Sequence, residues 1–349
     1  MTRWETARQI VRAGLVSAYP AVVVEVGSPD GVLWEEAFGV LSRNEDAAEA
    51  TLDSVFDLAS LTKVLATTPL IATALEKSQL ALDSPVSRWL PEWQGDDRRG
   101  VTIHDLLAHA GGLTAHLPFF RDHLGRGEFE RSICALPLEY SPRTRSVYSD
   151  LGFILLGFIL EDAAGETLAN QFDTLSERQE WGDIGYSPGP ARCRRAVPTE
   201  VDPWRGRLLV GEVQDENTWA LGGAAGHAGL FGTARSVGRF ARTVLRDLRG
   251  DGALARADTL RQFTTRTSVA QSSRALGWDT MLPTSSCGTK MSADAFGHTG
   301  FTGTSLWIDP PAGVYVVLLT NRVCPSRNND AIVKIRPAFH DAVMQALCS

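Results

Sequence analysis

The chain has 349 residues, enough for one large domain or two ordinary ones around a substantial core. Its 34 Lys and Arg against 41 Asp and Glu leave a formal charge of −7, which argues against a nucleic-acid-binding surface. The one basic cluster, Arg192, Arg194 and Arg195, is followed closely by Glu200 and Asp202 and reads as a solvated loop. With 44% hydrophobic and 21% charged residues and no repeat or low-complexity segment, the composition is that of a folded globular chain.

Trp4, Ala7, Ile10, Val11 and Leu15 recur at helical spacing, broken by Arg8 and Arg12, which predicts an amphipathic docking helix rather than a signal peptide. No apolar run approaches the ~20 residues of a membrane span. A cytoplasmic location is therefore expected, or a periplasmic one if a leader has been removed. Two strands follow, Ala21 to Val26 and Val32 to Phe38, around a Ser28-Pro29-Asp30-Gly31 turn. The middle reads as helical over Leu61 to Leu75, Ile103 to His109, Leu151 to Ala163 and Val237 to Leu248. Long Pro- and Gly-rich connections join these, notably Trp181 to Gly226, and such loops are usually functional walls or lids. Strands return at Leu276 to Met281, Thr304 to Ile308 and Val314 to Leu319, and a helix over Asn329 to Leu347, which Pro337 must kink or interrupt, closes the chain.

This pattern predicts an α+β fold: an antiparallel sheet built from both chain ends (1–58 and 270–349), flanked by the terminal helices. A mostly helical part (59–269) is inserted, and the active site lies in the seam. Five scattered cysteines without a C-x-x-C pair point to free thiols, and no metal site or other cofactor is expected.

Three short motifs carry chemistry. In Ala59-Ser60-Leu61-Thr62-Lys63, at the start of an apolar helix, Ser60 and Lys63 share one face. A serine hydroxyl becomes a nucleophile when a neighbouring base takes its proton; Lys63 can serve, or can lower the pKa of another base. Tyr148-Ser149-Asp150 precedes the helix Leu151 to Leu160, and a tyrosine beside an ammonium can be held as phenolate and act as general base. His298-Thr299-Gly300, followed by Phe301-Thr302-Gly303, places a glycine-lined strand edge where amides can donate to an oxyanion. Each motif alone is weak: a capped helix, an aromatic core residue or a β-bulge would explain it equally well.

In this fixed order the three motifs resemble those of the serine β-lactamases, penicillin-binding DD-peptidases and related esterases. Y-S-x rather than S-D-N is similar to the class C branch. Asp105 to Leu113 resembles the branch's "LLxHtSGL" segment, Leu319-Thr320-Asn321-Arg322 its late strand, and Gly222 to Phe231 the glycine-rich stretch of the subgroup containing penicillin-binding protein 4B. The resemblance implies acylation of Ser60, proton handling by Lys63 and Tyr148, and an oxyanion hole from the amides of Ser60 and Phe301. Asp150, His298, Thr299 and Gly300 would then face the substrate, and His227 is expected to be structural.

Two positions depart from that pattern. Where the family's third motif usually begins with a lysine that holds a substrate carboxylate, His298 offers little charge at neutral pH, its reference pKa being ~6.5. Asp150 replaces an asparagine and should hold Lys63 protonated, favouring Tyr148 as the base. These departures place an esterase- or amidase-like hydrolase ahead of a β-lactamase or D-alanyl-D-alanine carboxypeptidase, and both ahead of a non-catalytic ligand binder. The expected partner is a small ester, amide or peptide-like molecule; oligomeric state is open.

Overall fold

The computed structural model describes residues 3–348. Its main sheet has six antiparallel strands in the order β2-β1-β11-β10-β9-β8. Strands β1 (Ala21–Ser28) and β2 (Gly31–Gly39) come from the start of the chain. From its end come β8 (Asp279–Thr280), β9 (Phe296–Thr299), β10 (Ser305–Asp309) and β11 (Val314–Thr320). The sheet closes where the two ends meet, with Val23 opposite Leu319.

Both faces of this sheet are covered, so its strands read as near-continuous apolar runs instead of a clean alternation. Val22, Val24, Val26, Trp307, Val316 and Leu318 point to the face covered by the helices Glu5–Ser17 and Ile332–Cys348. There Trp4 stacks on Trp34 with ring centres 5.3 Å apart, as the amphipathic reading of the first helix requires. Val23, Leu306, Ile308, Val317 and Leu319 point the other way, into the larger core shared with the middle of the chain. The helix Ala234–Arg249 lies on that face, and its Arg242 meets the buried Glu25 of β1 at 3.2 Å.

The middle holds the expected helices Ile103–Leu107 and Asp150–Ala164, together with Arg126–Ala135, Leu168–Arg178 and Ala257–Thr264, which the sequence reading did not pick out. A second sheet of very short strands, β3 (Phe56–Asp57), β7 (Leu230–Gly232) and β4 (Ile184–Tyr186), was equally hidden. The connection from 181 to 226 is not structureless. It holds β4, the helices Pro190–Cys193 and Glu216–Ala220, and the hairpin of β5 (Val201–Asp202) and β6 (Arg207–Leu208). Within it Arg192 and Arg195 both clamp Asp183, at 2.7 and 2.5 Å. Two of the three arginines of the basic cluster are thus paired internally.

All five cysteines are free. No helix among the described residues is long and apolar enough to cross a membrane. Pro337 lies inside the last helix, Ile332–Cys348, without interrupting it. Three residues on, His340 is fully buried with neither ring nitrogen partnered. Burial, helped by the charge of Arg336, pushes its pKa down to about 3. The unfolded chain therefore takes up a proton near pH ~6.5 that the folded chain refuses until far lower pH, so stability falls as pH falls below ~6.5. Replacing His340 with Leu should flatten the fall in unfolding free energy between pH 6.5 and 5 by up to ~1.4 kcal/mol per pH unit. Urea unfolding at several pH values checks this, and an unchanged slope would count against a neutral buried imidazole.

Candidate active site

The nucleophile's turn begins with strain. Ala59, a non-glycine residue at φ 46°, sits in the left-handed region immediately before Ser60. Asp57 fixes it there: one carboxylate oxygen accepts the Ala59 amide at 2.8 Å and the other the Gln214 amide at 2.7 Å. Burial raises the Asp57 pKa to about 6, against the lowering effect of these two amides. The chain then enters a π-helical turn over Lys63–Thr67 before continuing as the α-helix Thr68–Glu76.

Lys63 is fully buried, and its ammonium donates to Ser60 Oγ at 2.9 Å, Asp150 Oδ1 at 2.8 Å and the carbonyl of His227 at 3.1 Å. Burial alone would push its pKa down. The negative charge of Asp150, with Tyr148, outweighs burial and keeps the amine charged. Asp150 in turn is held well below the usual carboxylate range: burial works against this, but Lys63 and His116 prevail. His116 Nδ1 stands 3.7 Å from the second Asp150 oxygen, which raises the pKa of the imidazole. Asp150 opens the helix Asp150–Ala164, whose N-cap is Ser149, so the end of the helix also favours the carboxylate.

The Tyr148 hydroxyl faces Ser60 and Lys63, and the ammonium lies 4.8 Å from the centre of its ring. A phenolate at rest is not favoured here. Burial of the hydroxyl raises its pKa, and the charge of Lys63 does not overcome this with Asp150 acting in the opposite sense. Tyr148 is wedged between two buried imidazoles, with ring centres 4.8 Å away for His109 and 5.7 Å for His298. His109 Nδ1 accepts the Ser149 amide at 3.0 Å, so its proton is on Nε2. Sequence reasoning quoted His109 only as part of a resembling segment, without a role.

His298 points to the cleft because of its register. It pairs with Leu306, whose side chain faces the larger core, and therefore shares that face. Its Nδ1 donates to the Thr299 carbonyl at 2.8 Å, and burial, with Arg274 and Lys63 nearby, drives its pKa well below the ordinary value. The imidazole is neutral, with Nε2 a bare, buried acceptor.

At Gly300 a Cβ would stand 2.1 Å from Thr304 Oγ1 and 2.6 Å from the Leu58 carbonyl, so only glycine allows this approach. Thr302 and Thr304 reach back to the carbonyls of Asp57 and Leu58 at 2.7 and 3.1 Å. These bonds tie the turn carrying Phe301 to the segment before Ser60. The amides of Ser60 and Phe301 donate to no protein acceptor among the described residues, as oxyanion donors require. The glycine-rich stretch closes the far side. Gly226 packs so tightly on the helix Asp150–Ala164 that a Cβ would lie 2.0 Å from the Phe153 carbonyl, and its own carbonyl accepts Thr67 Oγ1 at 2.6 Å. The His227 ring is anchored by Asp215 at 2.9 Å and Thr218 at 3.2 Å, while its carbonyl serves Lys63.

The cleft above Ser60 also contains Arg322, quoted from the sequence only as part of a resembling segment, and residues the sequence did not single out, among them Arg274 and Arg336 with Asp279 and Asp330. Arg322 is spent on structure: its Nε donates to the Phe301 carbonyl at 2.7 Å and its guanidinium lies 4.5 Å over the Phe301 ring.

The family model described as Beta-lactamase matches residues 7–337. A protein of Escherichia coli (strain K12), provisionally named a D-alanyl-D-alanine carboxypeptidase, is 29% identical over 87% of this chain and 79% of its own. Among solved structures, EstCE1, described as a hydrolase with promiscuous acyltransferase activity, superposes with a TM-score of 0.77 at 21% identity, covering 98% of each chain. A class C β-lactamase from Rhodobacter sphaeroides gives 0.76 at 19% identity, covering 98% of this chain and 99% of its own. Their shared fold is the one described above, an antiparallel sheet with a helical part set against it. With that architecture, and a family match running through the segments that carry Ser60, Tyr148 and His298, the chain belongs to the Beta-lactamase family of serine hydrolases.

Proposed function

We propose that the chain hydrolyses an ester or amide through an acyl-enzyme on Ser60. The observation that carries this reading is the 2.9 Å contact between Ser60 Oγ and the buried Lys63 ammonium, with Tyr148 facing both. Ser60 Oγ attacks the substrate carbonyl while its proton passes to the Tyr148–Lys63 pair. The carbonyl oxygen becomes an oxyanion at the amides of Ser60 and Phe301. As the bond to the leaving group breaks, the pair returns the proton to it, and a water then hydrolyses the acyl-Ser60 ester by the same steps.

In the resting enzyme Lys63 is an ammonium and Tyr148 a phenol, so the pair must first lose one proton to act as base. Asp150 favours both protonated forms. A second reading, D-alanyl-D-alanine carboxypeptidase, is favoured by the name of the Escherichia coli relative and by the arginines of the cleft, since that substrate carries a carboxylate. Turnover of 4-nitrophenyl acetate against release of D-alanine from a D-Ala-D-Ala tripeptide, on one preparation, separates the two.

Replacing Ser60 with Ala should abolish turnover and covalent labelling by a serine-directed phosphonate while thermal unfolding stays cooperative. Peptide mass spectrometry that finds the label on another serine would sink the assignment.

The rate should also rise with pH from neutrality toward the alkaline range, as the Tyr148–Lys63 pair sheds its proton. In Asp150→Asn the lost negative charge lowers the pKa of both groups, so the rising limb of kcat/KM should move toward neutral pH, by about one pH unit for ~1.4 kcal/mol of lost interaction. A limb that stays in place, or moves to higher pH, would show that Asp150 does not set the charge of the pair.

A further inference from the structure

Asp150 has two carboxylate oxygens, and only one of them is spent inside the site. Oδ1 accepts the Lys63 ammonium at 2.8 Å, whereas Oδ2 faces His116 Nδ1 at 3.7 Å. The two partners differ in their access to water. The side chain of Lys63 is wholly buried, and that of His116 is 45% exposed. One carboxylate is thus shared between a cation that bulk solvent does not reach and an imidazole that takes its proton from that solvent.

The backbone on either side holds the imidazole in place. The Ala115 carbonyl accepts the Asp150 amide at 2.9 Å, and the Thr114 carbonyl accepts Ser149 Oγ at 2.6 Å. Asn217, in the helix Glu216–Ala220, donates to the Leu117 carbonyl at 2.8 Å and accepts the Phe120 amide at 2.9 Å. The segment 114–120 is therefore clamped between the start of the helix Asp150–Ala164 and the helix Glu216–Ala220. The charged groups that bear on His116 from these two elements are Asp150, Asp215 and Glu216, all acidic. Asp215 is engaged by the His227 ring at 2.9 Å and Glu216 by Arg327 at 2.7 Å. Only Asp150 forms an ion pair with the imidazole among the described residues. That contact raises the pKa of His116 against the effect of burial, and Asp215 and Glu216 act in the same sense.

We propose that His116 is a positioning residue of the reaction: through the shared carboxylate of Asp150, its charge sets how readily the Tyr148–Lys63 pair gives up the proton it must lose to act as base. The inference rests on the acyl-enzyme reading, with that pair as the base of Ser60. Coulomb's law fixes the sign. An imidazolium at Oδ2 offsets part of the negative charge that Asp150 directs at Lys63, so the pair sheds its proton at lower pH. Once His116 is neutral, the whole carboxylate charge bears on Lys63, and the pair keeps its proton longer. Two coupled titrations then show in kcat/KM. The rising limb is displaced toward neutral pH while His116 is charged, passes through a shoulder as His116 discharges, and continues at higher pH beyond it. An exposed histidine thus extends the working range of a buried base toward neutrality.

The test follows kcat/KM for phenyl acetate, which has no titrating group of its own, in wild type, His116→Gln and His116→Lys. At about pH 6, where the wild-type imidazole is charged, His116→Gln should lose about three- to tenfold, and at about pH 9 it should approach wild type. The shoulder should vanish from its profile. His116→Lys, charged at both pH values, should restore the rate at the lower one. A residue that merely props the segment 114–120 would lower the rate at both pH values, and lysine would not rescue it. In an Asp150→Asn background the loss caused by His116→Gln should shrink to less than about twofold, because the shared carboxylate is gone. Phosphonate titration of each variant gives the fraction of folded protein with a competent Ser60, so a misfolded variant cannot imitate the effect.

Equal rates for wild type and His116→Gln at the lower pH would overturn the proposal. So would a loss of the same size at both pH values, or one that persists undiminished in Asp150→Asn. Failure of the underlying reading looks different. If Asp150→Asn by itself leaves the rising limb unmoved, Asp150 does not set the charge of the pair, and the role of His116 falls with it.

Discussion

The buried ammonium of Lys63 is the constraint on which the rest of the site depends. Taking a charge out of water costs several kcal/mol, and a protein tolerates it only when every donor finds a partner. Here the three partners are Ser60 Oγ, Asp150 Oδ1 and the His227 carbonyl, and each comes from a different stretch of chain. One side chain thus fixes the nucleophile, the start of the helix Asp150–Ala164 and the glycine-rich segment relative to one another. Gly226 is the steric complement of that charge, because any larger residue would hold the His227 carbonyl away from the ammonium. Asp150 closes the account electrically: its carboxylate neutralises Lys63, and the helix end and His116 stabilise the carboxylate.

The sheet supplies the opposite wall by a different device. β9 is a short strand whose register with β10 turns His298 toward the helical part and Gly297 toward Trp307 and the terminal helices. Beyond it the chain bends back so closely on the segment before Ser60 that Thr302 and Thr304 bond to the carbonyls of Asp57 and Leu58. The two candidate oxyanion donors therefore belong to one hydrogen-bonded unit although 241 positions separate Ser60 from Phe301 in sequence. Pre-organisation of this kind is what electrostatic stabilisation of an oxyanion needs, since nothing has to be reoriented as charge develops.

Much of this was legible in the sequence where the signal was local or strongly periodic. Ala21 to Val26, Val314 to Leu319 and Leu151 to Ala163 are long apolar runs bounded by turn residues, and each lies within the element expected. S-x-x-K at a helix start puts serine and lysine on one face by geometry alone, and their contact follows. What failed to show has physical reasons. Strands of two or three residues such as β3 and β7 carry no periodicity, and the helix Arg126–Ala135 buries only Phe129, Ile133 and Cys134. The charge state of Tyr148 could not be read from the motif, because adjacency to an ammonium is visible there whereas burial is not. Arg274 was invisible for a similar reason: it follows a loop and matches no motif, and only the fold shows that it reaches the cleft.

The two departures from the family pattern gain meaning when taken together. Exchanging lysine for His298 removes one positive charge from the cleft, and exchanging asparagine for Asp150 adds one negative charge beside Lys63. Left alone, those changes would make the site repel any anion. Three arginines against two aspartates line the cleft, so its walls remain net positive even with His298 neutral and Lys63 cancelled by Asp150. The positive charge has moved outward, from a lysine in the catalytic array to guanidinium groups on the cleft wall. The imidazole beside Tyr148 is uncharged, and the cations over its ring are Lys63, paired with Asp150, and the guanidinium of Arg274. The charge of Lys63 is balanced by Asp150, whereas that of Arg274 meets no carboxylate within 4.0 Å among the described residues.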